Sequence, residues 1–250
     1  MQETSAKVAL ISGAQQGIGH ASALALARQG YDIAAHFLDD EAAATALAGE
    51  IEAIGRRATL HRADLASVDA ARALAEAAFA AHGRLDALVN NAGIFQRATL
   101  ADLSERLWDI TLDVNLRAAA FVTQAVVAIL RKTGTNGAIV NVSSVAAFGT
   151  ARGVHYSASK GGMDALTRAV ALDIARDGIR INAVAPGMIL TAQALAGNDR
   201  DELERMAAAT VPGRLGSAAE VASVVAFLLS DAASFIHGEI IQVNGGAHMS

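Results

Sequence analysis

Runs of apolar and β-branched residues recur along the chain at Val8 to Ser12, Ile33 to Phe37, Thr59 to Arg62, Ala87 to Val89, Ala138 to Val142, Ile179 to Val184 and Ile240 to Val243. They are apolar at consecutive rather than alternate positions, the pattern of strands covered on both faces. Between them lie Ala- and Leu-rich stretches with helical spacing: Ala21 to Gln29, Glu41 to Ile54, Ala70 to Ala81, Ser104 to Leu130, Ala158 to Ala175 and Ala218 to Leu229. Strict alternation of the two patterns predicts an α/β fold, a doubly wound parallel sheet of about seven strands with helices on both faces. In such a sheet ligands bind beyond the carboxyl ends of the strands, so the residues that follow each strand carry the functional information.

With 250 residues, 53% of them hydrophobic, the chain can bury a large core. Its two prolines are Pro186 and Pro212, and no low-complexity linker or internal repeat marks a boundary, so residues 1–250 read as one domain. A net charge of -5 without a cluster of lysines or arginines leaves nothing to neutralise a nucleic-acid backbone. The polar stretch from Met1 to Lys7 runs straight into the first strand, which predicts neither a signal peptide nor a membrane-spanning segment, hence a cytoplasmic protein without a membrane partner. The absence of cysteine excludes disulfides and thiolate catalysis. The histidines show no spacing that would hold a metal; His155, just before Tyr156, reads as a solvated loop residue, with a place facing the substrate as the alternative. No glycines flank Ser143 or Ser144 at the spacing of a hydrolase nucleophile elbow, which disfavours a serine hydrolase.

After the first strand come Gly13, Gln16, Gly17, Ile18 and Gly19, followed at once by a helical run. Glycines there let the backbone turn tightly and approach a pyrophosphate, whose charge the amides at the helix start stabilise. The second strand should end near Phe37, where a carboxylate would read the ribose of NAD; Phe37 and Leu38 stand there instead, and Asp39 lies further on. The form stays open between NAD and NADP, and the missing carboxylate removes the main barrier to the phosphate of NADP.

Carbonyl chemistry needs a proton donor for the substrate oxygen, a cation that favours the donor's ionised form, and a second hydrogen bond to that oxygen. Tyr156 and Lys160 lie four residues apart, one turn on one helix face. An ammonium at that distance should lower the tyrosine's pKa. Upstream, the fifth strand ends in Asn141-Val142-Ser143-Ser144, and a serine hydroxyl there could polarise the carbonyl.

The spacing of Gly13, Gly17 and Gly19, the Asn90-Asn91-Ala92-Gly93 element and the Tyr156/Lys160 pair resemble the short-chain dehydrogenase/reductase family, and the resemblance runs in order from Lys7 to Gly246. It implies an NAD(P)-dependent interconversion of a carbonyl and a secondary alcohol with Tyr156 as general acid or base. It implies further that Asp64 and Leu65 border the adenine ring, that Asn91, Ala92 and Gly93 line the cofactor ribose, and that Asn115 is a fourth catalytic residue acting through its carbonyl. Lys160 would also bond the nicotinamide ribose, while Pro186, Gly187, Ile189 and Thr191 would flank the nicotinamide and residues 188–212 would form a substrate lid. The family's active serine is usually the second of the pair, which selects Ser144. Its twelve-residue separation from Tyr156 is one short of the commoner spacing, and counting back from the tyrosine would select Ser143. The substrate would be a 3-oxoacyl thioester or a sugar or other small alcohol, and the assembly a homotetramer or dimer. The alternative is a dinucleotide-sensing regulator that has lost turnover, since the fold alone does not establish activity.

Overall fold

Apolar at every position, Val8–Ile11 (β1) sits at the centre of a seven-stranded sheet in a computed structural model that describes residues 6–249, the side chains of 193, 196 and 197 apart. Most of the amino-terminal stretch, Met1 to Ser5, lies outside the described residues. The strands are β2 (Asp32–Phe37), β3 (Ala58–Arg62), β4 (Ala87–Asn90), β5 (Ala138–Val142), β6 (Arg180–Pro186) and β9 (Ile240–Val243), and a short pair, β7 (Ile189–Leu190) with β8 (Gly216–Ser217), lies apart. All pairings are parallel and the order is β3-β2-β1-β4-β5-β6-β9. The order reverses between β1 and β4, the switch point at which open parallel sheets take their ligands.

Helices α1 (Gly17–Arg28), α2 (Glu41–Ala53) and α9 (Ala218–Leu229) are built into one apolar layer with β1 and β5, centred on Leu26, Ile33, Val140 and Val225. The other face is covered by α3 (Val68–His82), α5 (Ala118–Thr133) and α6 (Val154–Asp173), through Leu74, Val122, Val126 and Ile174 in the loop after α6. Every central strand is therefore buried on both sides, which explains their uninterrupted apolar runs.

Two elements depart from the sequence pattern. The expected helix from Ser104 to Leu130 is α4 (Glu105–Leu112), a π turn at Asp113–Arg117, and α5; the Ala118 amide reaches back five residues to the Asp113 carbonyl. Helix α6 starts at Val154, not Ala158, so Tyr156 stands on the helix with Lys160. The expectation that no segment could span a bilayer also needs correction: by length and composition Glu105–Thr133 qualifies. Its apolar stripe of Ala118, Val122, Val126 and Leu130 is nevertheless packed into the core, the situation of an interior helix.

Two short helices, α7 (Ala192–Gly197) and α8 (Arg200–Ala208), follow β7 and overhang the carboxyl edge of the sheet. Thr191 and Asp199 cap them.

Candidate active site

A cavity of about 700 Å³ opens at the switch point, and the ends of β1, β2, β3, β4, β5 and β6 all contribute to its wall. Its floor is the loop from Gly13 to Gly17. Gly13 and Gly17 adopt φ of +63° and +59°, which only glycine takes without strain. A Cβ on Gly17 would stand 3.5 Å from Thr191 Cγ2 across the opening, so the loop and the base of the lid face each other closely. Gln16 caps α1 without a side-chain hydrogen bond, and the first turn carries no acid. Backbone amides and the positive end of the helix are thus left facing the cavity, as a pyrophosphate requires. The residues present fit a dinucleotide.

The loop is braced from below by β4. Ser12 Oγ accepts from the Asn91 and Ala92 amides at 2.9 and 3.0 Å, while Asn91 Nδ2 donates to the Ser12 and Gly13 carbonyls at 3.0 and 2.8 Å. Asn90 continues the polar line across the sheet, donating to Asn141 Oδ1 on β5 and to Thr123 on α5. Asn91, Ala92 and Gly93 reach the cavity wall.

At the inner end stand Ser144, Tyr156 and Lys160. Ser144 hydrogen-bonds Tyr156 and accepts from the Ala146 amide, whereas Ser143 is buried and turned to Asp164 Oδ1 on α6. The Phe95 ring packs on Tyr156 in a tilted pair, 4.5 Å between centroids. Lys160 is buried, with Nζ donating to the Val142 carbonyl at 2.7 Å and lying 5.7 Å from the centre of the Tyr156 ring. Burial lowers its pKa to about 8, Asp164 opposing. Burial raises that of Tyr156, and only the Ser144 bond holds it down. Burial outweighs any depression of the tyrosine by Lys160, whose Nζ lies 5.7 Å from the ring centre and donates to the Val142 carbonyl.

The remaining candidates divide. Gln16, Ile18, Asp64, Leu65, Pro186, Gly187, Ile189 and Thr191 all line the cavity. Asp64 also accepts from the Ala66 amide in a turn, and the cap of α3 is Ser67. Phe37 is buried and off the wall; alternate strand residues face opposite ways, so His36 and Leu38 reach the cavity instead. Gly19 lies under the loop and Asn115 is fully buried in the π turn. The Asn115 side chain clamps Ile94 through both backbone groups, at 2.8 and 3.0 Å, and donates to Ser159. His155 is not a solvated loop residue: it is fully buried at the start of α6, and its Nε2 donates to the Gln96 carbonyl.

Several wall residues had no sequence signal of their own, among them Phe95 and Arg97. Arg97 reaches over the cavity to Glu202 on α8 at 2.9 Å and to Asn198. Gln15 bonds Asp39 and the Leu38 amide, and Arg62 Nε donates to the Leu38 carbonyl, which closes the end of β2. Among the described residues no cluster of His, Asp and Glu could hold a metal ion.

Comparison with known proteins agrees with this geometry. The family model described as "Enoyl-(Acyl carrier protein) reductase" matches residues 13–248. A 3-oxoacyl-[acyl-carrier-protein] reductase of Staphylococcus aureus is 38% identical over 97% of this chain and 98% of its own length. An L-rhamnose 1-dehydrogenase (NAD(P)(+)) of a Sphingomonas species is 35% identical over 98% and 97%. The crystal structure of a putative short-chain alcohol dehydrogenase from Sinorhizobium meliloti superposes with a TM-score of 0.93 at 38% identity, covering 97% of this chain and 96% of the other. The chain belongs to the short-chain dehydrogenase/reductase family. It is an NAD(P)-dependent oxidoreductase that interconverts a carbonyl and an alcohol.

Proposed function

We propose that this enzyme reduces an apolar ketone of the 3-oxoacyl thioester type with NADPH, using Tyr156 as the acid, Ser144 as the second donor to the substrate oxygen and Lys160 as the supporting cation. The observation that carries the reading is the convergence of these three side chains at the inner end of a glycine-floored cavity. Bound NADPH would supply the hydride, held by Gly13, Gln16, Gly17, Ile18 and Gly19 along its phosphates, by Asp64 and Leu65 at the adenine, and by Asn91, Ala92, Gly93, Pro186, Gly187, Ile189 and Thr191 towards the nicotinamide. Tyr156 Oη, a phenol that is protonated at neutral pH, gives its proton to the oxygen. Ser144 Oγ–H polarises the same oxygen. Asn115 fixes Ile94 and Ser159, and so sets the loop and helix that frame Lys160.

The wall on the substrate side, Ile94, Phe95, Val145, Ala146, Met188 and Ala194, favours an acyl chain over a polyhydroxylated sugar. A small alcohol or sugar is the second reading, supported by the similarity to the rhamnose dehydrogenase. NADP is favoured over NAD by the absence of a carboxylate at Phe37 and by the Arg62 guanidinium at the Leu38 carbonyl; the Asp39 carboxylate is engaged by Gln15. Residues 188–212 act as the lid, latched by Arg97 and Glu202, and exclude water when closed. The protein works in the cytoplasm as a homotetramer or dimer. Phe227, Phe235 and Met249 are exposed apolar side chains that a second copy could cover, and sedimentation equilibrium would read a multiple of the chain mass.

Absorbance at 340 nm, with NADH or NADPH against acyl thioesters, ketones and sugars, tests the reading. NADPH oxidation with a 3-oxoacyl thioester is expected; exclusive use of a sugar would overturn the substrate assignment, and silence with dinucleotide binding intact would favour the regulator. In the active assay Ser144→Ala should lower kcat by about 10²-fold or more. Ser143→Ala, which releases Asp164 but leaves the donor to the substrate oxygen, should cost far less; the reverse ranking would move the role to Ser143.

A further inference from the structure

One polar side chain stands at the inner end of the apolar strand β2: His36, buried, in a run of Asp-Ile-Ala-Ala-His-Phe. It touches the ends of both neighbouring strands. Nδ1 lies 2.9 Å from the Gly13 amide and Nε2 lies 3.0 Å from the Ala63 carbonyl. These partners fix the tautomer, because a carbonyl can only accept and an amide can only donate. The proton is on Nε2, and Nδ1 offers its lone pair to Gly13. The backbone of the same residue holds the next amide of the loop, Ala14 N–H donating to the His36 carbonyl at 2.8 Å. Gly13, His36 and Ala63 all form cavity wall.

We infer that His36 is a positioning residue for the dinucleotide: as a neutral imidazole it ties the glycine loop to the end of β3, and its protonation releases Gly13 and weakens dinucleotide binding. This rests on the dinucleotide reading of the cavity. The physical reason is valence. An imidazolium has two donors and no acceptor, so protonation at Nδ1 replaces a hydrogen bond with an N–H set against an N–H. Gly13 then loses an anchor at the turn where its φ is positive.

Among the described residues no carboxylate bonds the His36 ring, whose partners are the Gly13 amide and the Ala63 carbonyl. On β3, His61 stands in register beside His36 and opposes its charging, while Arg62 is turned to the Leu38 carbonyl. Asp39 is engaged by Gln15 and Asp64 by the Ala66 amide. β1 brings only Val8, Ala9, Leu10 and Ile11, and the α3 face packed on this side of the sheet is apolar, through Ala71, Leu74 and Ala75. Burial accordingly holds the His36 pKa below the ordinary imidazole value. The sign follows: the unfolded chain takes the proton first as pH falls, so the clamp's contribution is complete above the ordinary value and is lost on the acid side towards the folded pKa.

The test is fluorescence titration of NADPH and NADH into the full chain at about pH 8 and about pH 5.5, for wild type, His36→Asn and His36→Leu. Asparagine keeps an acceptor near the place of Nδ1 and does not titrate; leucine keeps bulk and loses both bonds. The wild-type Kd should rise a few-fold at the acid pH, since a pKa below the ordinary imidazole value keeps the loss there under about tenfold. His36→Asn should bind within about threefold of wild type at pH 8 and lose most of that acid dependence, and His36→Leu should bind weakly at both pH values. Nitrogen-15 spectra of the free protein should show the proton on Nε2. Equal acid dependence in wild type and His36→Asn, full affinity in a folded His36→Leu, or a proton on Nδ1 would each overturn the role. Failure of wild type to bind either dinucleotide at pH 8 would overturn the cofactor reading as well, whereas binding that ignores His36 overturns this inference alone.

Discussion

Tyr156→Phe should slow turnover by about 10³-fold or more while leaving the Kd for the dinucleotide within about twofold of wild type. The substitution keeps the ring, its contact with Phe95 and its place on α6, and removes only Oη. A phenol holds its proton at neutral pH and burial raises the pKa of Tyr156 further, so Oη stands protonated for the reductive direction. Its loss cannot be replaced by Ser144, whose hydroxyl is a poor acid, nor by Lys160, whose Nζ is bound to the Val142 carbonyl. Steady-state rates in both directions, with binding followed separately by cofactor fluorescence, decide the matter. Activity within tenfold of wild type would remove Tyr156 from the mechanism.

Gly19→Ala should weaken dinucleotide binding by about 100-fold and lower the melting temperature by several degrees, the effect of a methyl forced into a filled site. The new Cβ would overlap the Gly13 carbonyl and fall 2.5 Å from Asn91 Nδ2. Neither neighbour can yield cheaply: Gly13 O is backbone, and Asn91 is committed to two carbonyls of the loop. The strain is passed to the floor of the cavity. Gly49→Ala on α2 is the control, since no atom lies within 4 Å of its Cβ and the helix gains roughly 0.5–1 kcal/mol of propensity. Calorimetry and cofactor titration of the two variants should diverge in sign; a Gly19→Ala protein that binds and melts like wild type would show that the loop can shift, contrary to the packing described.

Much of the architecture was legible in the sequence because the strands are buried on both faces, and continuous apolar runs such as Ala138 to Val142 have few other readings. The Tyr156 and Lys160 pair was legible from helical spacing. Illegible features were those set by tertiary contacts. The start of α6 depends on Gly153 at its cap and on the burial of His155 against Gln96, neither visible in a local pattern. Equal chemistry hid the difference between Ser143 and Ser144; only the fold turns one to Asp164 and the other to Tyr156. Phe37 was placed by its position at a strand end, and the alternation of the strand put His36 on the wall instead. The histidine's isolation within an apolar strand was a signal, since a polar side chain is rarely buried without a partner.

The π turn at Asp113–Arg117 makes chain length part of the site. A turn of this kind holds one residue more than the same stretch of α-helix, and here the surplus is what lets Asn115 meet Ile94 while Ala118 to Leu130 still lie against the sheet. Deleting a single residue between Leu112 and Ala118 would yield a smoother helix and a better local hydrogen-bond ladder. The flanking turns would stay nearly in place, but the bulge that sets Asn115 against Ile94 would be lost, and with it part of the frame around Lys160. Insertions and deletions, tolerated in the outer loops, should be absent from working versions of this segment.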